Sequence, residues 1–144
     1  MPLTPQELKK ALISAGFEIY RTAGEDVILA DRARENLILD SGVRVRAAEP
    51  LQVRLVMGIR RAAYPSEDEA ALFERVRALA APLLAQGFGE VATGVAPVTD
   101  PSDPQITLDT FYEVVFAKDE PGVEGALPAR RLALSVAKTA ESRH

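Results

Sequence analysis

Two stretches of alternating side chains constrain the fold of this chain more than any other feature. In residues 51–60, "LQVRLVMGIR", every second residue is large and apolar. Because successive side chains of a strand point to opposite faces, this spacing predicts a strand with one face in a core and one in water. Residues 105–119, "QITLDTFYEVVFAKD", predict a second such strand. Its expected core face consists of Ile106, Leu108, Thr110, Tyr112, Val114 and Phe116.

A capped helix is indicated near the N-terminus. Thr4 is followed by Pro5 and, three residues after Thr4, by Glu7, which is the pattern of a capping box with proline in the first helical turn. Gly16 supplies the left-handed residue that commonly ends a helix. We therefore predict an amphipathic helix between Pro5 and Gly16.

A longer helix is predicted between Ser66 and Gly87. Ser66 and Glu69 form another capping-box pattern, and the acids of "SEDE" suit the positive end of a helix dipole. Pro82 lies inside this segment, where it should kink the last turn or begin a new helix. The expected apolar stripe consists of Phe73, Val76, Leu79, Ala80, Leu83 and Leu84.

Short strands are predicted around these helices. Residues 17–22 and 27–30 are expected to be strands, "DRARE" a polar connection, and "NLILDSGVRVRA" two strands joined by a tight turn at Asp40, Ser41 and Gly42. After the second helix, "GEVATGVAPV" predicts a loose strand and "TDPSDP" a loop. The later segment "RRLALSVAKTA" fits a strand or a helix, and the alternation of its apolar residues slightly favours a strand.

Together these elements predict a two-layer α+β fold in the order α-β-β-β(β)-α-β-β-β/α. Short strands joined by tight turns favour an antiparallel sheet, and two main helices are expected to cover one of its faces. With 144 residues, the chain is expected to form a single domain over residues 1–144. The last residues, 140–144, are expected to be a mobile tail.

Composition argues against several classes of function. The chain has no cysteine and a single histidine, His144, so thiol-dependent or histidine-dependent sites are not expected. Phosphate-loop, dinucleotide-binding, zinc-protease and nucleophile-elbow motifs do not occur in the sequence. We therefore expect a protein without enzymatic activity, metal or cofactor. The sequence has no apolar run of membrane-helix length and opens with "MPLTPQELKK", which is unlike a secretion signal, so the expected location is the cytoplasm, with no membrane partner.

The charge is negative overall but unevenly spread. A formal net charge of −4 disfavours nucleic acid as a partner. Residues 32–61 contain seven arginines and three acids, whereas residues 62–129 contain twelve acids and three basic residues. The two segments are therefore complementary in charge. The preference for arginine over lysine, 13 against 4, favours a GC-rich genome. A bacterial source is expected.

The predicted water-facing side of the sheet contains a candidate interface. Its members are Phe111, Val115, Val56, Arg44, Arg46, Arg54, Arg60, Asp109 and Glu113. An ion-pair ladder across an exposed sheet accounts for the charged members. An apolar centre with a charged rim is typical of a protein interface. A third possibility is that the C-terminal segment folds back through Leu127 or Leu132 and covers the apolar members.

The order of elements is similar to that of small acidic secretion chaperones, and to that of small ring-forming tail-terminator proteins of phage-like particles. The resemblance covers layout and size, and for the chaperones acidity, and it transfers no functional residue. The preferred interpretation is a chaperone-like or adaptor module that binds a protein partner or itself as a homo-oligomer. One alternative is a small-molecule binding domain or unusual enzyme in which Arg44, Arg46 and Arg54 hold an anion. The other is a structural ring protein.

Overall fold

The computed structural model describes residues 3–34 and 37–132, with the backbone alone at residues 32–34 and 37. In this part of the chain, the helices are α1 (Pro5–Ser14), α2 (Glu69–Leu79), α3 (Ala81–Ala85) and α4, which includes residues 126–132. The strands are β1 (Ile19–Ala23), β2 (Asp26–Arg34), β3 (Leu37–Arg46), β4 (Leu51–Arg60), β5 (Gly89–Asp100) and β6 (Asp103–Glu120). Short 3-10 turns occur at Arg61–Ala63 and Val123–Gly125.

The six strands form one antiparallel sheet in the order β1-β2-β3-β4-β6-β5. The predicted two-layer α+β fold is therefore confirmed. Helix α4 shows that the slight preference for a strand in "RRLALSVAKTA" is wrong for residues 130–132. Residues 133–140 and the predicted tail at 140–144 lie outside the described residues.

The chain divides into two compact units. Unit 1 contains the described residues up to Leu55 and from Ala117 onward, and unit 2 is Val56–Phe116. Strands β4 and β6 contribute residues to both units. The expectation of a single domain over residues 1–144 stays a prediction.

In unit 1, helix α1 packs against β1 and β2. The predicted capping box is present, because the Thr4 hydroxyl accepts a hydrogen bond from the Glu7 amide and the Glu7 carboxylate accepts one from the Thr4 amide. The bond from the Thr4 amide to the carboxylate is the main cause that holds the pKa of Glu7 below its usual value. Gly16 has a φ of 96°, as predicted for the end of the helix. The buried apolar residues of unit 1 include Leu8, Leu12, Val27, Leu29, Val43, Val45, Leu51, Val53 and Leu55.

The predicted turn at Asp40, Ser41 and Gly42 is a bulge inside β3. The pairing of β2 with β3 shifts between Ile28 and Ala30, opposite these residues, and Gly42 has a φ of 82°. The Ser41 hydroxyl donates a hydrogen bond of 2.7 Å to the Leu29 carbonyl oxygen, and the Asp40 carboxylate accepts one from the Gly42 amide. Residues that are typical of turns therefore supply the hydrogen bonds that backbone groups need at this bulge. The predicted polar connection "DRARE" is also wrong over residues 31–34, which continue β2.

In unit 2, the inner face of β6 meets α2. The rings of Phe73 and Tyr112 pack edge to face with centroids 5.5 Å apart. The buried residues of this unit are Ile59, Leu72, Val76, Ala80, Leu83, Phe88, Tyr112, Val114 and Phe116. The predicted stripe of the second helix is partly wrong, because Leu72 is buried and Leu84 is exposed.

The start of the second helix also differs from the prediction. Helix α2 begins at Glu69, and its N-cap is Asp68, whose carboxylate accepts a hydrogen bond of 2.8 Å from the Ala71 amide. The Ser66 capping box is therefore wrong, since Asp68 takes the capping position two residues later. Pro82 lies in the first turn of α3, so the prediction that it begins a new helix is confirmed.

Candidate protein-interaction surfaces

Three arginines lie in one row across the strands of unit 1. Pairing places Arg21 of β1 opposite Ile28 of β2, Ile28 opposite Arg44 of β3, and Arg44 opposite Arg54 of β4. The next row on the same face contains Arg46, opposite both Asp26 and Gln52. We call the four residues Arg21, Arg44, Arg46 and Arg54 the arginine face.

Two members of the arginine face are neutralised by acids of unit 1. Arg46 donates to both carboxylate oxygens of Asp26, at 2.8 and 3.2 Å, and this pairing raises the pKa of Arg46. Arg44 donates to both oxygens of Asp40, at 3.1 and 2.7 Å. Arg44 is therefore paired with an acid of its own strand, and Arg46 with an acid of the neighbouring strand.

The other two members of the arginine face, Arg21 and Arg54, are not paired with an acid in this way. Arg54 donates a hydrogen bond of 2.7 Å to the neutral side chain of Gln52. Within the described residues, Arg21 and Arg54 make no ion pair. The arginine face thus has more positive than negative charge, and Ile28, which is only 3% exposed, lies within it. The aliphatic stems of the flanking arginines are suited to cover such a residue.

The remaining charged members of the predicted interface lie in unit 2. One carboxylate oxygen of Asp109 accepts hydrogen bonds from the amides of Ala62, at 3.1 Å, and Thr110, at 2.7 Å. Asp109 therefore stabilises the backbone where β4 passes into the following turn. Glu113 is half-buried and Arg60 is exposed.

The apolar members of the predicted interface are half-buried. A Cβ added at Gly58 would overlap the ring of Phe111 and would lie 3.0 Å from the Tyr112 carbonyl oxygen. The Phe111 ring therefore occupies the space above Gly58, which explains an aromatic residue on the outer face of β6. Val56 and Val115 are likewise half-buried. Leu127, one of the two residues proposed to cover these apolar side chains, is itself 41% exposed.

A different group of apolar side chains in unit 2 is strongly exposed. Val91 and Val95 of β5 are 49% and 52% exposed, and Ile106 and Leu108 of β6 are 48% and 60% exposed. The prediction that Ile106 and Leu108 lie in the core is wrong, because the inner face of β6 is buried only from Tyr112 onward. We call these four residues the apolar hairpin face.

The turn of the hairpin indicates that these residues share one face. Strand β5 ends at Asp100 and β6 begins at Asp103, so the connection has two residues. We infer that Asp100 lies opposite Asp103 and, by counting along both strands, that Val95 lies opposite Leu108. One sequence signal for this surface is the run "VATGVAPVT", which contains no charged residue.

The tip of the hairpin is acidic. The Asp100 carboxylate accepts hydrogen bonds from the Ser102 hydroxyl and amide, at 2.7 and 2.9 Å, and these bonds hold the pKa of Asp100 below its usual value. The Asp103 carboxylate accepts a hydrogen bond of 3.0 Å from the Gln105 amide. Both carboxylates therefore order the turn, and among the described residues neither makes an ion pair.

The base of the hairpin is held by an ion-pair cluster with α2. Arg77 donates to both oxygens of Glu90, at 2.7 and 3.1 Å, and to Glu74 at 2.6 Å. The bonds from Arg77 hold the pKa of Glu90 below its usual value and raise the pKa of Arg77. This cluster fixes the start of β5 to α2.

Two small concave sites lie in unit 1. One cleft of about 180 Å³ is lined by Ala15, Gly16, Phe17, Glu18, Leu127 and Arg130. A second, of about 210 Å³, is lined by Leu3, Ala48, Glu49, Pro50, Leu51, Pro121, Gly122 and Val123. Both are below the usual size of a site for a small organic ligand.

Neither metal-binding groups nor membrane-spanning helices are found in the residues that the structure describes. No three histidine, aspartate or glutamate side chains there are grouped closely enough to hold an ion. None of the helices is both long and apolar enough to cross a bilayer.

Comparison with protein-family models, with curated proteins and with solved structures finds no match to this chain.

Proposed function

We propose that this chain is a non-enzymatic assembly module that binds protein through the apolar hairpin face. The observation that carries the proposal is the exposure of Val91, Val95, Ile106 and Leu108, each 48–60% exposed, on two adjacent strands. Single exposed apolar side chains are common, but a group of them on one face is characteristic of an interaction site.

The position of β5 supports the same proposal. It is an edge strand of twelve residues, and no charged side chain occurs from Val91 to Thr99. A long apolar edge strand is prone to pair with other chains unless something covers it. The opposite edge, β1, has only five residues and an irregular register, so it is a poorer template for pairing. The β5 edge is therefore the more favourable place for a protein partner.

The surface first expected to bind protein receives less support. Phe111 lies over Gly58 in its own unit, so the apolar centre of that surface is already partly filled. The anion-binding alternative is also weaker, because Arg44 and Arg46 are engaged with Asp40 and Asp26 on a sheet face. A chaperone-like adaptor and a ring-forming structural protein both remain compatible with a hairpin that binds protein.

The proposal is tested by co-purification from the native host with a matched pair of substitutions. Ile106→Asp places a charge in the apolar hairpin face, and Ile13→Asp does the same on α1, where Ile13 is 53% exposed. We expect wild type and Ile13→Asp to co-purify with the same partner protein, which can be a second copy of this chain. The amount of that partner should fall at least about tenfold with Ile106→Asp. Thermal melts establish that both variants are folded.

Equal retention by the three folded proteins would contradict the proposal. Loss in both variants would also count against it, because the effect would then not be specific to the hairpin.

A further inference from the structure

We infer that the partner of the hairpin is a second copy of this chain, and that the tip of one hairpin docks on the arginine face of the next copy. This inference rests on the proposed function and names its partner. Two surfaces of the same sequence are complementary in charge, which favours a second copy as the partner.

The hairpin is acidic between Val91 and Ala117. From Val91 to Ala117 the sequence contains four acids and no lysine or arginine. Asp100 and Asp103 lie at the tip, where their carboxylates bond only to groups of the turn among the described residues. Two carboxylates on opposed positions of neighbouring strands repel each other, so this pair gains from an external cation.

The arginine face has the opposite arrangement. Arg44 and Arg54 occupy opposed positions on β3 and β4, and Asp40 compensates only Arg44. Opposed residues on neighbouring antiparallel strands are about 5 Å apart, and this spacing applies to Asp100 and Asp103 as well. The aspartate pair and the arginine pair therefore match in spacing and are opposite in charge. Docking brings the two aspartates to Arg54, whose charge no acid balances among the described residues, and to Arg44, which Asp40 already pairs.

Apolar contacts add to this match. Val95, Ile106 and Leu108 follow the tip along the hairpin and are exposed. The arginine face offers aliphatic stems around Ile28, and arginine is enriched at protein interfaces. Because the hairpin and the arginine face are different surfaces, each copy has one of each, and the contact is head-to-tail. Such a contact produces rings or filaments.

The test is a charge reversal on each side, followed by mixing. Arg54→Glu puts an acid on the arginine face, and Asp103→Arg puts a base at the tip. We expect each variant alone to associate at least about tenfold more weakly than wild type, because like charges then meet. In the mixture, each copy meets an opposite charge on its neighbour, so association should recover. Sedimentation velocity of the purified proteins measures both results.

Charge reversals outside the two surfaces serve as controls. Glu69→Arg on α2 and Arg131→Glu on α4 are exposed positions that the inference does not use, and they should associate like wild type. Thermal melts confirm folding of every variant.

Three results would overturn the inference. The first is unchanged association of folded single variants, and the second is a mixture that does not recover. The third is a wild-type chain that stays monomeric but co-purifies with a protein other than itself, and that protein is lost from Ile106→Asp. In that last case the partner is not a second copy, but the proposed function stands.

Discussion

Arg44 and Arg54 lie directly opposite each other on the neighbouring strands β3 and β4. Arg44 binds the Asp40 carboxylate on its own strand, whereas Arg54 binds only the neutral amide oxygen of Gln52. Asp40 balances the charge of Arg44, so this opposed pair has one uncompensated positive charge, that of Arg54. Its presence is understandable if an acidic group from outside the chain completes the arrangement.

Stability and association should therefore respond in opposite directions to Arg54→Glu. At a protein concentration too low for association, the new acid opposite Arg44 should raise the free energy of unfolding by about 0.2–1 kcal/mol. Arg54→Gln should give a smaller gain, since it only removes the repulsion. Urea denaturation of the dilute proteins measures this, and a lower stability for Arg54→Glu would contradict the role given to the pair.

The contact between Phe111 and Gly58 predicts a position-specific cost. Gly58→Ala should lower the free energy of unfolding by about 1–3 kcal/mol, because the added Cβ overlaps the ring and approaches the Tyr112 carbonyl oxygen. Gly89→Ala is the matched control, since a Cβ there meets no atom within 4 Å, and its effect should stay within about 0.5 kcal/mol. Denaturant melts that show equal effects for the two substitutions would refute this packing.

The capping of α2 distinguishes the observed helix start from the predicted one. Asp68→Ala should lower stability by about 1 kcal/mol, because the Ala71 amide loses its acceptor. Ser66→Ala should have little effect, since Ser66 is exposed and lies before the cap. Thermal unfolding of both variants checks the assignment, and a larger loss in Ser66→Ala would place the cap at Ser66 after all.

The Arg77–Glu90 pair predicts part of the acid dependence of stability. The pKa of Glu90 lies below its ordinary value of 4.5 in the folded chain, so the unfolded chain binds a proton more readily. The stabilisation is therefore complete above pH 4.5 and is lost as the pH falls through the folded pKa. Glu90→Gln should be less stable than wild type at pH 7 and should show a shallower loss below pH 4.5.

The control for this dependence is Glu124→Gln, an exposed glutamate that makes no ion pair among the described residues. Its stability should fall with pH as steeply as that of wild type. A Glu90→Gln protein with an unchanged acid slope would show that the pair with Arg77 does not set it.

Local patterns predicted the parts of the fold that depend on local chemistry. The alternation of β4 identified Leu51, Val53 and Leu55 as core residues, and the Thr4–Glu7 capping box is present in α1. Both features depend on residues that are close together in the sequence, so they can be predicted from it.

Features that depend on tertiary context were not predictable in this way. Asp40, Ser41 and Gly42 have the chemistry of a turn, and a bulge opposite Leu29 uses the same chemistry. Ile106 and Leu108 continue the alternation of a core strand, but alternation does not tell where the covering layer ends. The apolar hairpin face was missed for that reason.

The central claim is that the apolar hairpin face contacts protein, and site-specific photo-crosslinking in the native host tests it most directly. A photoreactive amino acid replaces Ile106 in one protein and Ile13 in the other, two positions of similar exposure. We predict a protein crosslink from position 106 that is absent from position 13, and we expect the crosslinked peptide to come from the region of Arg44 and Arg54 of a second copy. Crosslinking at position 106 no stronger than at position 13 would contradict the claim.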